Sequence, residues 1–351
     1  MKDFDKLLEE ENVSLNIEKQ IKRKMNKSIY TRVILVLLCI ALIGIVLYKG
    51  SSKIQEVAHY NPKEETQFLA DDVKGNEFRA LMSTFIRLNY PGYALMVNDN
   101  LAEKDFGVYE YYAKLHDIFQ PLISDGAKDL LLRIQLSQLE IEYQPISKNY
   151  LTIYIDEFKK PDTKEFIQVS SLDSIKKDVL DLPDSAYINA SISFENYISL
   201  EDVSRLIHKY PDTRFVWLAI ASENQRSPQV AEGMSLYDAS AWDFNEEALQ
   251  KYPHYYIWDN DKITADLLYQ KYLSNMRMLI DHPEFVDLMN SYFGGLCPKD
   301  RLQERYEEAK KGVKGYGLRV NLTKGDLLKL MDNEDLSNVR IHDVKISKWA
   351  K

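Results

Sequence analysis

The run from Val33 to Tyr48 reads VILVLLCIALIGIVLY and carries no charged or strongly polar side chain. No other feature narrows the possible folds so far. As a helix rising about 1.5 Å per residue it spans roughly 24 Å, slightly less than the ~30 Å hydrocarbon core of a bilayer. Ile29, Tyr30 and Thr31 lengthen it once Arg32 snorkels to the interface, and Tyr30 and Tyr48 then fall near the two headgroup levels. A buried core helix would show a polar face, and this run is apolar all round. A cleaved signal peptide would have a short basic leader, whereas the stretch before this run is long and includes Glu9, Glu10 and Glu11; no small-x-small cleavage site follows. The expectation is a single-pass protein of the cell membrane, with residues 29–49 crossing it.

Flanking charge sets the orientation. Lys19, Lys22, Arg23, Lys24, Lys27 and Arg32 precede or open the run, and only Lys49 and Lys53 follow closely. The positive-inside rule puts the N-terminus in the cytoplasm and everything from about Gly50 outside. Residues 1–28 are then a cytoplasmic tail. In it Phe4, Leu7 and Leu8 fall at i, i+3 and i+4, one face of a helix, with Asp3 and Asp5 where negative charge favours a helix start. No local core exists to bury this stripe. Phe4, Leu7 and Leu8 are therefore the candidate partner-binding residues, to be covered by another protein or by the lipid bilayer.

A chain of 351 residues is too long for one small domain. Its formal charge of −9 argues against direct nucleic-acid binding, which needs clustered Lys and Arg. The six histidines, His59, His116, His208, His254, His282 and His342, are scattered without ligand spacing. Cys39 and Cys297 are unlikely partners and form no framework. No GxSxG elbow, Walker loop or GxGxxG appears. Gly315-Tyr316-Gly317 is too short for a phosphate cradle and reads as tight turning and close packing where a strand begins. Glu140 and Glu142 share one face of a strand but have no cleft, so they read as solvated polarity rather than a glycosidase pair. Neither an enzyme, a metal nor a cofactor is expected.

Outside the membrane, residues 50–180 read as a stalk, polar to about Ala80, followed by a membrane-proximal β-rich region with some helix. Ala94–Val97, Leu130–Leu136, Leu139–Tyr143 and Leu151–Ile155 are its strand-like pieces. Residues 181–351 are more regular. Ile188, Ala190, Ile192 and Phe194 alternate with Asn189, Ser191 and Ser193. Ser199 then opens a helix with Asp202 three residues on, a capping box; Val203, Leu206 and Ile207 form its apolar face, and Pro211 follows its end. Phe215–Ala221 is apolar on both faces, as a doubly covered strand should be. The order recurs: Tyr316, Leu318, Val320 and Leu322 alternate, Thr323 and Asp326 repeat the capping box, and Leu327, Leu328 and Met331 give the helix face. Val339, Ile341, Val344 and Ile346 make a closing strand whose change of phase after Ile341 predicts a bulge. Two such units predict a C-terminal α+β domain on the ferredoxin-like βαββαβ plan. A helical insertion occupies about 222–314, with helices near Ile263–Ile280, from Pro283, and over Arg301–Lys311.

The segments FDKLLEEE and KQIKRKMNKS followed by one apolar helix resemble the N-terminal region of the sigma factor regulator family. ISFENYISLEDVSRLI, RFVWLAIAS and VKGYGLRVNLTKGDLLKLM resemble its C-terminal domain. The resemblance implies a membrane anti-sigma factor of Gram-positive bacteria acting on an extracytoplasmic-function sigma factor. The tail would sequester the sigma factor and the outer domain would sense the state of the envelope. A zinc-binding HxxxCxxC, found in another anti-sigma class, is absent, and so small a tail implies help from a small membrane co-subunit. Two other readings stay open here: an extracytoplasmic scaffold or binding module anchored by one helix without a sigma partner, and an envelope enzyme with an unfamiliar site.

Overall fold

The structure is a computed structural model that describes residues 22–27, 29–45, 60–63, 77–96, 100–104, 108–119, 127–135, 137–143, 157–163, 170–223, 231–236, 244–257, 263–293 and 299–346. The chain divides into two compact units, Met1–Ala58 and His59–Lys351.

In the first unit, helix α1 runs from Lys22 to Ile45. Its 24 residues rise about 36 Å, more than the ~30 Å a bilayer requires. Leu35, Leu38 and Leu42 are exposed. The helix begins in the basic stretch, and Thr31 Oγ1 donates to Lys27 O at 2.8 Å, an i−4 bond that satisfies a hydroxyl near the apolar boundary. The expected end at Lys49 lies outside the described residues.

The second unit opens with α2 (Glu77–Asn89), three residues before the expected end of the polar stretch. Ten of its thirteen residues are buried, Ser83, Thr84 and Arg87 among them. Arg79, Ser83 and Arg87 share one face of it at i, i+4 and i+8, so an amphipathic period is present, and the sequence reading overlooked it. Pro91 and Gly92, the latter at φ +88°, turn the chain into β1 (Tyr93–Leu95). Then come β2 (Asn100–Glu103), β3 (Val108–Asp117), β4 (Ala127–Gln135) and β5 (Gln138–Tyr143). They form an antiparallel sheet of order β1-β3-β4-β5, with β2 also on β3. Leu151–Ile155, expected as a strand, lies outside the described residues.

Next follow α3 (Leu172–Leu180), β6 (Tyr187–Ser199), α4 (Leu200–Lys209), β7 (Arg214–Ile220), β8 (Gly233–Ser235), α5 (Glu246–Lys251), α6 (Ala265–Ile280), α7 (Pro283–Phe293), α8 (Lys299–Ala309), β9 (Lys314–Thr323), α9 (Lys324–Asn333) and β10 (Leu336–Lys345). The strands make a second antiparallel sheet of order β10-β6-β9-β7-β8. The two apolar segments Phe215–Ala221 and Tyr316–Leu322 are neighbours in it, with Phe215 opposite Val320 and Leu218 opposite Leu318. Ser199 caps α4 in a full capping box with Asp202, and Thr323 caps α9 through Asp326 N. The register slips between Ile341 and Asp343, where the bulge was expected. The helices expected near Ile263, at Pro283 and near Arg301 are α6, α7 and α8. The insertion also adds β8 to the sheet, three residues too short to show an alternation.

Ile188, Ala190, Ile192 and Phe194 of β6 and Leu318, Val320 and Leu322 of β9 pack on one side with Val203 and Leu206 of α4 and Leu327 and Leu330 of α9. The same apolar cluster runs on through α6, α7 and α2 to Tyr111, Leu130 and Leu132 of the first sheet. A smaller cluster, with Phe158, Val216, Trp217, Ala219 and Tyr316, includes β7 side chains of the opposite phase, so β7 is covered on both sides.

Candidate functional site

Phe4, Leu7 and Leu8 lie outside the described residues, as does His59. The other histidines sit apart in separate surroundings. His208 occupies the last turn of α4, its Nδ1 2.7 Å from Ser204 O, in keeping with a cap-side structural role. His282 places Nδ1 2.8 Å from Met278 O. His116 is buried in β3, and burial pushes its imidazole below the ordinary value. Among the described residues no group of three His, Cys, Asp or Glu side chains could hold a metal ion. Glu140 stands exposed on β5 opposite Arg133 of β4.

A buried polar constellation is built on the polar phase of the second sheet. Asn189, Ser191 and Ser193 of β6 alternate with apolar residues, as do Arg319 and Asn321 of β9, and all five are buried. Such a phase ordinarily faces water. Here part of it is covered by residues 157–163, a strap that belongs to neither sheet. Glu157 Oε1 accepts from Arg319 Nη1, from Ser191 Oγ at 2.5 Å and from His342 Nε2 at 3.1 Å. The glutamate and arginine side chains are 4% and 9% exposed, so this is a buried ion pair. Burial alone would raise the Glu157 carboxyl, but Arg319 and the donors His342 and Ser191 outweigh it and hold the group well below the usual carboxylate range. Burial pushes His342 below its ordinary value, Arg319 and Arg340 act in the same sense, and Glu157 opposes them. His342 is therefore neutral at pH 7, with its proton on the Nε2 that faces the carboxylate.

The next strap residue fills a shaped slot. Phe158 stacks on Trp217 at 5.7 Å and 17°, and meets Tyr316 edge-on at 6.3 Å. A Cβ on Gly317 would lie 2.4 Å from the Phe158 ring and 2.9 Å from Ile192 O. Close packing, expected of Gly315 and Gly317, is thus what Gly317 provides, and within the strand rather than at a turn. Lys159 N donates to Ser193 Oγ at 2.9 Å. Lys160, also buried, sets Nζ 5.6 Å from the Tyr316 ring centre, and Asp162 accepts from Tyr197 Oη at 2.9 Å.

Serine, histidine and glutamate together invite a hydrolytic reading, and the geometry opposes it. A relay uses both imidazole nitrogens, one toward the carboxylate and one toward the hydroxyl. Here Ser191 and Glu157 meet the same Nε2, at 2.9 and 3.1 Å, and the serine proton already points at the carboxylate. Ser191 is fully buried. The constellation holds a peptide segment; it does not present a nucleophile.

Sequence reasoning missed Glu157, Arg319 and Phe158. A signal was present in β6 and β9, whose polar phases hold Asn, Ser and one Arg where a solvated strand would carry Lys, Glu or Thr.

Residues 180–343 match the family model described as sigma factor regulator C-terminal. No curated protein and no solved structure matches the chain.

Proposed function

With residues 180–343 forming a sigma factor regulator C-terminal domain, we propose that the chain is a membrane-anchored anti-sigma factor. It sequesters an extracytoplasmic-function sigma factor by its cytoplasmic tail and senses the state of the envelope by its outer part. The family match carries this reading, and α1, long and apolar enough to span a bilayer, supports the anchoring. The excess of Lys and Arg before Val33 supports a cytoplasmic N-terminus. The strand order β10-β6-β9-β7 supports the βαββαβ ferredoxin-like plan for residues 181–351, with β8 and the helices as an insertion between β7 and β9. No covalent chemistry is required of such a protein, only a binding equilibrium that an outside event shifts. A small membrane co-subunit can share the hold on the sigma factor.

Phe4, Leu7 and Leu8 are the anchors of the proposed contact, a helix laid in a groove. Losing a buried anchor of this kind costs about 2 kcal/mol, roughly a thirtyfold loss of affinity. Phe4→Ala combined with Leu8→Ala is expected to release the sigma factor and raise transcription of its regulon at unchanged protein level and membrane insertion. Interfacial anchoring of the stripe on lipid predicts no transcriptional change, because α1 still holds the protein in place. An unchanged regulon would therefore favour the scaffold reading.

A further inference from the structure

The strap over the second sheet is bound the way a ligand is bound. It contributes no strand to the ladder, and side chains hold it on the sheet. The acid of Glu157 enters a seat made by Arg319, Ser191 and His342. The ring of Phe158 enters the slot opened by Gly317 and floored by Trp217. The cation of Lys160 lies over Tyr316 and feels Asp162, Glu232 and Glu308. Every receiving group except Asp162 belongs to residues 180–343, whereas the strap precedes them.

Two physical facts make such a segment detachable. A ladder strand gives up its backbone bonds together, whereas a strap held by separate side chains can leave without opening the sheet beneath it. A buried ion pair also loses most of its attraction to the desolvation of its two charges, so it specifies what is bound more than it tightens the hold.

We propose that this face of the second sheet is a docking groove for a peptide of the pattern acid–aromatic–x–base, and that residues 157–163 are an internal ligand filling it. The acid is set by the Arg319 seat, the ring by the absence of a side chain at Gly317, and the base by Tyr316 with the nearby carboxylates. A segment carrying the same pattern can then replace the strap, and the freed strap reports the exchange to the chain on either side of it.

The test uses the full chain in detergent micelles. Glu157→Gln with Phe158→Ala weakens the internal ligand. A fluorescent peptide of residues 155–163 is then titrated in and followed by anisotropy. The expected result is saturable binding to the double variant, weakened at least about tenfold when Arg319→Met is added. A folded double variant that takes up no peptide, or takes it up equally with Arg319→Met, overturns the proposal. Hydrogen exchange on the unaltered protein decides independently of whether the variants fold. The Lys159 amide is expected to exchange at least about tenfold faster than the paired amides of β6 and β9. Exchange only at their rate means that the strap opens only with global unfolding, and that also overturns the proposal.

Discussion

His282 is held uncharged by its surroundings, and the proton it resists links stability to pH. Its side chain is 12% exposed, and burial lowers its pKa from 6.5 to about 4, with Asp281 opposing and Lys251 assisting. Glu77 Oε1 lies 3.8 Å from Nε2, beyond hydrogen-bond reach, and does not reverse the effect. The folded-state pKa is depressed, so below pH 6.5 the unfolded chain binds a proton that the native chain refuses. Stability is therefore full above about pH 6.5 and falls as the pH drops toward about 4. The shift is equivalent to roughly 3 kcal/mol, and His116 and His342 act in the same direction. Glu157 adds a loss at lower pH, as the pH falls from about 4.5 toward about 2. His282→Gln can still donate to Met278 O and cannot titrate. Its urea midpoint is expected to fall distinctly less than the wild type's between pH 7 and 4. Parallel curves for the two proteins would mean that His282 is not the group taking up the proton.

At the level of single elements, the most local signals were the most legible. The Ser199 hydroxyl accepts from Asp202 N at 3.1 Å, and the Asp202 carboxylate takes Ser199 N at 3.1 Å. Ser199→Ala removes the hydroxyl arm and is expected to cost about 1 kcal/mol, whereas Ser199→Thr keeps a hydroxyl that accepts from Asp202 N and donates to its carboxylate, and should cost only a few tenths. Equal losses in chemical denaturation would refute the capping account. Such a cap needs four residues to be read, and the alternation of β6 or β9 needs eight, so both stand out in the sequence. The bulge near His342 was legible for the same reason, as a break in a period of two. What was not legible depends on neighbours far along the chain. β8 is too short to show a period, and the strap has no periodicity at all. Glu157 acquires its meaning only when Arg319, 162 residues later, is folded beneath it.

Across the whole second unit, α2 is the piece that touches both sheets. At its N-terminal end Phe78 meets Tyr111 of β3 at 4.9 Å and Phe285 of α7 at 5.7 Å. In its middle Thr84 Oγ1 and Tyr255 Oη share a hydrogen bond of 2.6 Å. Near its C-terminal end Arg87 O accepts from Trp217 Nε1 of β7 at 3.0 Å, which joins it to the second sheet. One apolar cluster passes without interruption from β3 and β4 through α2 to β6 and β9. A stalk with a separate C-terminal domain would unfold in two steps, because each would keep its own core. A shared core predicts one cooperative step for the described part of residues 59–351. Phe78→Ala separates the two cases, because the rings that Phe78 meets among the described residues, Tyr60, Tyr111 and Phe285, all lie outside the second sheet. Truncating a fully buried Phe costs about 3–5 kcal/mol. If the unit is cooperative, global exchange protection in β6 and β9 falls by the same amount as in β3 and β4, although the second sheet has lost no ring contact of its own. Loss confined to β3 and β4 would show that the two sheets are stable independently. A signal received by one sheet would then have to reach the other by some route other than this helix.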